Sequence, residues 1–277
     1  TLPSYSKPEG DGTENNPCQI ASLENLTWLM ASDTAWDKHY IQTADIDASA
    51  TNSWYGGEGF MPIGNSNTNF TGTYNGQRHK IDSLYINRGS GKNIALFGLV
   101  KGDSAQVENL AVTNVNITGN ENVGAIVGNN HGNIYQCYAT GNVKSNVTHW
   151  EIKLGGLAGV NSDTIKNSFS KVNVTTSGDM AGGIAGKNRG SGLIINCYGN
   201  GEISGGYYSD EIGGIVGYNY QGKIKYCYST SHVSGYEDVG GMVGADYSGT
   251  NQYSFWDTET SGQNSSDGGT GLSTSKM

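Results

Sequence analysis

One short pattern of apolar residues and glycines recurs through this chain and predicts most of its structure. Each copy alternates apolar side chains with glycine, and a shorter run, IALFGLV at 94–100, looks like an earlier copy. The last glycines, which are Gly98, Gly128, Gly159, Gly186, Gly217 and Gly244, lie 30, 31, 27, 31 and 27 residues apart, a spacing typical of stacked repeats. We call this pattern the glycine phrase. Its full copies are VGAIVGNN at 123–130, LGGLAGVN at 154–161, AGGIAGKN at 181–188, IGGIVGYN at 212–219 and VGGMVGAD at 239–246.

Each glycine phrase is followed by a polar turn, then by Ile, Cys or Ser, and an aromatic residue. A second alternating stretch comes next, such as NVKSNV at 142–147. Short alternating segments separated by turn residues predict β-strands, and regular spacing lets the strands of successive copies pair in parallel. The sequence therefore predicts an all-β fold, a right-handed parallel β-helix (β-solenoid) with about three short strands in each coil of 27–31 residues.

The two ends of such a stack would expose apolar core and unpaired strand edges, so both need a cover. Behind Ser22, a residue type favoured as an N-cap, four apolar residues fall at helical spacing and predict a short N-terminal capping helix. They are Leu23, Leu26, Leu29 and Met30. At the other end the repeat pattern breaks, and Trp256 is suited to cover the last coil. We predict a flexible lead-in at 1–17, a cap with a helix at 18–38, β-helix repeats at 39–256, and a C-terminal capping segment or tail at 257–277.

Charge narrows the choice of partners. The formal net charge is −9 and only 15% of the residues are charged. This balance argues against nucleic acid and anionic membrane surfaces as partners, because both attract clustered Lys and Arg. No apolar run approaches the roughly 18 residues of a membrane span, so we expect no membrane insertion. Cations and neutral glycans fit the charge better.

The four cysteines allow two interpretations. Cys137, Cys197 and Cys227 each occupy the same repeat position, where two other copies have Ser168 and Ser254. Exchange of Cys and Ser at one position indicates a small residue in a tight space, which favours buried, reduced thiols. The alternative is a disulfide between Cys197 and Cys227, which lie on successive coils.

Three rows of repeated side chains could carry function, and the first is a row of amides. Two residues after the last glycine, four copies of the phrase have Asn and the fifth has Asp. Stacked amides can hydrogen-bond to one another, so we favour a buried structural ladder over a row that binds a ligand. Its members are Asn130, Asn161, Asn188, Asn219 and Asp246.

The second row is aromatic and directly follows the Cys or Ser position. In a regular strand, neighbouring side chains face opposite ways, so an inward-facing small residue would leave the aromatic row exposed. An exposed row of this kind would suit sugars and other ring-bearing ligands. If a turn intervenes, the rings belong to the core, which is the interpretation we favour on sequence alone. The row consists of Tyr138, Phe169, Tyr198, Tyr228 and Phe255.

The third row is acidic and precedes each glycine phrase. Stacked coils would bring these carboxylates to one corner, where they could bind Ca²⁺, which prefers several oxygen ligands. No recognised calcium-loop motif is present, so we favour a solvated corner and expect no cofactor, with Ca²⁺ as the alternative. The row consists of Glu121, Glu151, Asp179, Asp210, Glu211, Glu237 and Asp238.

Catalytic motifs are scarce in this sequence. It contains no HExxH zinc motif, no GxSxG nucleophile turn and no phosphate-binding loop. Asp45 and Asp47 are the kind of carboxylate pair that could cleave a polysaccharide, although such a pair is also ordinary on a protein surface. We therefore predict no catalytic residue, and the question of an enzyme stays open, with the balance against it.

The motifs together resemble bacterial GLUG-motif proteins. The resemblance rests on GGLAG and GGIVG, on the following G-x-I-x-x-C-Y, on FWDTETSGQ with GGTGLST near the end, and on PIG and FTGTYNGQRHKI upstream. It covers roughly residues 14–277, although IALFGLV lacks the double glycine. Such proteins are similar to filamentous-haemagglutinin-type and pectate-lyase-like β-helices and occur in secreted or surface proteins, including large adhesins. The motif also precedes the catalytic part of immunoglobulin-A-cleaving metallopeptidases, but their zinc motif is missing here.

The resemblance implies a secreted or cell-surface bacterial location more firmly than it implies an activity. Our first hypothesis is a non-enzymatic β-helix that binds a host or bacterial surface glycan or protein. The second is a lyase or hydrolase that acts on a polysaccharide. The third is a passive stalk within a longer chain. Exposed rings would favour the first, and convergent carboxylates in a groove would favour the second.

Overall fold

The glycine phrase builds a parallel β-helix. The computed structural model describes residues 2–148, 151–207 and 209–277. Strands of successive phrase copies pair in parallel, so that Asn161 lies beside both Asn130 and Asn188. Farther along the coil, Tyr138 pairs in the same way with Phe169 of the next coil. The predicted all-β parallel β-helix is therefore confirmed.

Two sheets contain the strands of the described residues. The first sheet holds 13 strands: Cys18–Ile20, His39–Gln42, Thr73–Asn75, Phe97–Glu108, Val127–Tyr135, Ala158–Asn161, Thr164–Lys166, Ala185–Arg189, Leu193–Ile195, Val216–Tyr220, Lys223–Lys225, Val243–Tyr247 and Thr250–Gln252. The second sheet holds 16 strands: Ile46–Asp47, Lys80–Asp82, Tyr85–Ile94, Ala111–Val123, Tyr138–Ser145, Lys153–Gly155, Phe169–Thr176, Met180–Gly182, Tyr198–Gly199, Glu202–Gly205, Ile212–Gly213, Tyr228–Ser229, His232–Ser234, Val239–Gly240, Phe255–Asp257 and Thr270–Leu272.

The coil that begins at Val127 has the predicted three strands, Val127–Tyr135, Tyr138–Ser145 and Lys153–Gly155, but the later coils are divided more finely. The coil that begins at Ala158 contains four strands, Ala158–Asn161, Thr164–Lys166, Phe169–Thr176 and Met180–Gly182, where about three were expected. The chain bends inside the glycine phrase, between Gly155 and Ala158, and places the two halves of the phrase in different sheets.

The last glycine of each phrase allows the second half of that phrase to lie against the start of the preceding copy. A Cβ on Gly159 would stand 2.4 Å from the carbonyl carbon of Asn122, and one on Gly186 would stand 2.5 Å from the backbone nitrogen of Leu154. No side chain fits at such distances from backbone. These glycines are therefore positions of close backbone approach, as stacked coils require.

A helix covers the N-terminal end of the stack. It spans Leu23–Ala31, and the side chain of Ser22 accepts a hydrogen bond from the backbone N–H of Asn25 at 3.3 Å. Leu26, Leu29 and Met30 are buried against the first coils, as their spacing predicted. The first strand of the stack, Cys18–Ile20, precedes the helix and pairs with His39–Gln42. The short 3₁₀ helices are Asp33–Ala35, Ser49–Gly57 and Thr274–Lys276.

The C-terminal end is closed by one more strand. Thr270–Leu272 pairs in parallel with Phe255–Asp257, so the sheet continues beyond residue 256. Trp256 is buried, with 4% of its surface exposed. The carboxylate of Asp257 accepts hydrogen bonds from the Thr274 hydroxyl at 2.8 and 3.0 Å, which holds the terminal segment in place.

The cysteines are free, buried thiols. Cys137, Cys197 and Cys227 point into the coil, and each thiol lies within 3.3 Å of the carbonyl oxygen two residues before it. Burial raises the pKa of Cys137 to about 12, which makes its thiol unreactive at neutral pH. The thiol interpretation agrees with this arrangement, and the disulfide alternative does not.

Within the described residues, no helix is long and apolar enough to cross a membrane.

Candidate functional site

The amide row forms an unbroken ladder inside the stack. Side-chain amides donate to the next coil from Asn130 to Asn161 at 2.8 Å, and from Asn161 to Asn188 and Asn188 to Asn219 at 2.9 Å. The series ends where Asn219 donates to the carboxylate of Asp246 at 2.8 Å. The four Asn side chains are fully buried and also donate to carbonyl oxygens of the turns that follow them. These amides hold the coils together and are not accessible to a ligand.

The aromatic row faces solvent. The small Cys or Ser residue points inward, so the ring that follows it points outward. Tyr138, Tyr228 and Phe255 are 40%, 45% and 38% exposed, and Phe169 and Tyr198 are half-buried between their neighbours. The structure thus corrects our preference for a core position. The chain makes its sharp turn one residue before the Cys position, and in one coil the turn residue has a φ of +53°.

The rings stack along the axis of the helix. Ring centroids are 6.2 Å apart for Tyr138 and Phe169, 5.4 Å for Phe169 and Tyr198, and 4.2 Å for Tyr198 and Tyr228. The last two pairs are close to parallel, with interplanar angles of 12° and 20°. Stacked rings cover one another's faces, so this aromatic column presents ring edges to a ligand as a continuous apolar stripe.

A shallow polar trough of about 740 Å³ runs beside the aromatic column. It is lined mainly by the residues two and four positions after each ring. Because side chains alternate along a strand, these residues point to the same outer face as the ring. Thr230 links the two features, because its hydroxyl lies 2.7 Å from the Tyr198 hydroxyl and 2.6 Å from the Asn200 amide. The residues that line the trough are Asn114, Thr140, Gly141, Asn142, Lys171, Asn173, Asn200, Gly201, Glu202, Thr230, His232 and Thr260.

Two of the glycines that line the trough lie where the backbones of successive coils come close. Gly141 has φ +122°, and a Cβ there would stand 2.3 Å from the backbone nitrogen of Val115. At Gly201 a Cβ would stand 2.1 Å from the carbonyl oxygen of Val172. The pairing between Tyr138–Ser145 and the preceding coil is irregular at Gly141, as expected for a bulge. The trough was not predicted from the sequence, although the alternation of Thr, Asn and Lys behind each ring was a signal for it.

An apolar groove of about 470 Å³ lies at the C-terminal end of the aromatic column. Tyr228 and Phe255 form one side, and the stacked rings of Tyr226 and Tyr253, 5.1 Å apart, form the other. Tyr226 and Tyr253 adopt φ values of +52° and +51°, where most copies have Asn or Gln. A bulky residue in this left-handed region is unfavourable, so these two rings are held outward at some conformational cost.

The acidic row lies at a corner of the stack, but its members have different surroundings. Glu121 is 2.6 Å from the ammonium of Lys92 and 3.7 Å from that of Lys153. Among the described residues, no three His, Cys, Asp or Glu side chains are grouped so that they could hold a metal ion. Calcium binding stays the alternative to the solvated corner that the sequence favours. Of the other members, Glu237 and Asp238 are exposed, and Glu151, Asp179, Asp210 and Glu211 are half-buried.

Glu211 has the most perturbed carboxyl group of this row. Burial, followed by the nearby carboxylates of Asp179 and Asp210, raises its pKa to about 7, whereas Lys187 acts in the opposite direction. The backbone of Glu211 is in the left-handed region, with φ +58°. This carboxyl group therefore changes charge near neutral pH.

The pair Asp45 and Asp47 does not resemble a catalytic acid and base. Asp45 accepts hydrogen bonds from the backbone N–H of Lys80 at 3.1 Å and from the ring of His79 at 3.2 Å, and Asp47 accepts from the N–H of Ser49 at 2.9 Å. These backbone hydrogen bonds lower the pKa of both carboxyl groups. A general acid needs a raised pKa, so Asp47 is better described as a turn cap and Asp45 as a contact between coils.

The fold and its repeated outer faces define a β-helix repeat protein, and comparison with known proteins gives the repeat type. The family model of the GLUG motif matches residues 119–144 and 209–234, each of which contains part of a coil. The chain is 36% identical over 182 residues to halomucin of Haloquadratum walsbyi, across 64% of this chain and 2% of halomucin. It is also 36% identical over 129 residues to a "Putative Gly-rich membrane protein" of Evansella cellulosilytica, across 44% of this chain and 14% of that protein.

A solved structure shares the architecture. The crystal structure of a "putative immunoglobulin A1 protease" from Bacteroides ovatus superposes with a TM-score of 0.74 over 96% of this chain and 87% of that one, at 20% identity. At this identity the likeness shows the fold alone. Two matches to the GLUG motif on a parallel β-helix confirm the resemblance seen in the sequence, and the chain spans only a small part of the length of the curated relatives.

Proposed function

We propose that this β-helix is a non-enzymatic binding domain of a secreted or cell-surface protein, and that it binds a polysaccharide chain laid along its axis. The observation that carries the proposal is that the aromatic column and the polar trough lie side by side on one outer face. We call the two together the aromatic face. Similarity to a halomucin and to a protein named as a putative Gly-rich membrane protein supports a surface location.

The chemistry of the aromatic face suits carbohydrate. Sugar rings combine apolar C–H surfaces with hydroxyl groups that both donate and accept hydrogen bonds. The ring edges of the column offer apolar contact, and the amides and hydroxyls of Asn142, Asn173 and Thr140 offer polar contact beside them. Successive coils repeat these groups about every 4.8 Å, so a linear polymer meets equivalent contacts along the axis.

The charge of the trough indicates a largely neutral glycan. Lys171 and Glu202 supply one charge of each sign, and apart from His232 the other lining side chains are neutral. An acidic polymer such as nucleic acid would gain little here, because its phosphates need clustered cations. A host or bacterial surface glycan is the partner that this face fits best.

Removal of two central rings is expected to weaken glycan binding by about tenfold or more. The Tyr198→Ala, Tyr228→Ala double variant breaks the column where its rings are closest, and each lost aromatic contact is worth about 0.5–1.5 kcal/mol. A glycan array selects the ligand, and isothermal titration calorimetry then gives the Kd of each variant.

The Tyr220→Ala variant is the matched control. Tyr220 is 37% exposed and stacks on Tyr247, but it lies on another strand, outside the aromatic face. We expect its Kd to equal that of the parent protein. Two results would refute glycan binding by the aromatic face. One is an equal loss of affinity in both variants, and the other is unchanged binding in the double variant with the fold intact. New reducing ends or unsaturated products during incubation would instead favour the lyase or hydrolase hypothesis.

A passive stalk is the second candidate function. It is favoured by the small share of each curated relative that this chain spans, 2% in one case and 14% in the other. A stack of similar coils is a suitable spacer, because each coil is held only by its neighbours. Absence of binding to every glycan on the array would favour this role.

A further inference from the structure

A second cleft, of about 370 Å³, lies beside the amide-ladder strands rather than on the aromatic face. It spans three coils. Lys153, Lys187 and Arg189 supply three cations to its lining, and Asn122 and Asn129 supply two amides from the preceding coil. Three cations around one cleft are unusual in a chain whose net charge is −9.

The cations of this cleft are incompletely neutralised. Two carboxylates, those of Glu121 and Glu151, also line it. In the part of the chain that the structure describes, Glu121 is 3.7 Å from Lys153, but no carboxylate lies within 4.0 Å of Lys187 or Arg189. The pKa of Lys187 is lowered, first by burial and then by the charges of Lys153 and Arg189, although Glu211 and Glu151 act in the opposite direction. An anion in the cleft would relieve this repulsion.

Neighbouring groups fix the position of both long side chains. The Lys187 ammonium lies over the ring of Tyr218, 4.8 Å from its centroid, and the Arg189 guanidinium donates to the Ser162 hydroxyl at 3.0 Å. Arranged cations lose less side-chain entropy when they bind a ligand than mobile surface lysines do. The remaining N–H groups of Arg189 can form the paired hydrogen bonds that suit a carboxylate.

The amides of the cleft need hydrogen-bond donors. The side-chain oxygens of Asn122 and Asn129 are buried and have no hydrogen-bond partner within the described residues. Asn122 is 9% exposed, and its amide nitrogen donates to the side chain of Asn93 at 2.8 Å, which fixes the orientation of the amide. A buried acceptor without a donor is destabilising by about 1–3 kcal/mol, so a hydroxyl group in the cleft would be favourable.

We propose that this cleft binds an acidic sugar unit, with its anionic group at Lys187 and Arg189 and its hydroxyls toward Asn122 and Asn129. A simple inorganic anion satisfies the cations but offers no donor to the amides. A neutral sugar offers donors but leaves the cations unpaired. A uronate or a similar anionic monosaccharide supplies both an anion for the cations and hydroxyl donors for the amides. This second site differs from the aromatic face in position and in charge.

The test is titration of the full chain with an oligogalacturonate and with the neutral galactose oligomer of equal length, each followed by calorimetry. In the Tyr198→Ala, Tyr228→Ala variant, which lacks the central rings of the aromatic face, we expect the acidic oligomer to bind at least tenfold more tightly than the neutral one, and its affinity to fall with rising salt. The Lys187→Met variant should weaken acidic binding by about tenfold. A sulfated galactose oligomer, titrated in parallel, should bind more weakly than the oligogalacturonate if the cleft is built for a carboxylate.

The Lys171→Met variant removes the same charge from the polar trough, so it is the matched control and should leave acidic binding unchanged. Tyr198→Ala, Tyr228→Ala should also leave it unchanged, which separates this site from the aromatic face. The proposal fails if Lys171→Met and Lys187→Met weaken binding equally, if the neutral oligomer binds the Tyr198→Ala, Tyr228→Ala variant as tightly as the acidic oligomer does, or if inorganic sulfate or single-stranded DNA binds as tightly as the oligogalacturonate. A thermal melt of Lys187→Met confirms that the fold is retained.

Discussion

The Gly159→Ala substitution is expected to destabilise the protein by about 3 kcal/mol or more. A Cβ at this position would stand 2.4 Å from the carbonyl carbon of Asn122, 2.5 Å from the nitrogen of Val123 and 2.6 Å from the Asn122 Cα. All three are backbone atoms, so no side-chain rotation can relieve the clash, and the two halves of neighbouring phrases must separate. Thermal unfolding followed by circular dichroism measures the effect, which should lower the Tm by roughly 6–12 °C.

Gly89→Ala is the matched control for this prediction. Gly89 has no atom within 4 Å of the position that a Cβ would occupy, and its backbone does not require glycine. Its Tm should stay within about 2 °C of the parent value, or rise slightly, because Ala restricts the unfolded chain. If the two variants melt at the same temperature, close backbone approach is not the role of the phrase glycines.

The Asn188→Ala substitution should cost about 3–4 kcal/mol. It removes the hydrogen bonds of Asn188 with Asn161 and with Asn219, both of 2.9 Å, together with its bond of 3.2 Å to the carbonyl of Gly192. The oxygen of Asn219 is then left in a buried place without its donor. Each buried polar group that loses its partner costs about 1–3 kcal/mol, and the cavity adds to this. Chemical denaturation measures the change in the free energy of unfolding.

Asn142→Ala provides the comparison on the surface. Asn142 is exposed, and its side chain accepts one long hydrogen bond, of 3.4 Å, from Asn173. We expect a change of less than about 0.5 kcal/mol, as is usual for surface substitutions. Similar losses at Asn142 and Asn188 would contradict a stabilising role for the buried ladder.

Much of the fold could be predicted from the interval between repeats and from local signals for the helix. The interval between phrases determines which residues become neighbours on successive coils, and so the rows that contain Asn130 and Tyr138 could be predicted from spacing. The helix behind Ser22 followed from spacing and capping, which are local properties. Residues placed by period and local propensity are therefore accessible from sequence alone.

The direction of the aromatic row could not be decided in this way. It depends on whether the turn falls before or after the Cys position, and the structure places the left-handed residue before it, at Asn196 in one coil and at Tyr226 in the next. Asn is common in that conformation, but Tyr is not, so the pattern contained no consistent signal. A shift of the turn by one residue exchanges the inner and outer faces.

The two clefts were missed for a different reason. The polar trough lies beside an irregular pairing, in which Ala111–Val123 has one residue more than Tyr138–Ser145 next to Gly141, and the second cleft draws Asn129, Lys153 and Lys187 from three coils. Neither feature is a property of one repeat. Both arise from departures from the repeat consensus, which regular spacing does not encode.

Hydroxyl-radical footprinting of the glycan complex tests the central claim most directly. Oxidation of a tyrosine ring depends on its exposure, and this chain has exposed tyrosines on the aromatic face and elsewhere. With the neutral glycan that binds most tightly, we expect Tyr138, Tyr198 and Tyr228 to become protected, and Tyr247, which is 57% exposed on another strand, to react as before. Protection of Tyr247 with unchanged oxidation of the other three would contradict a binding role for the aromatic face.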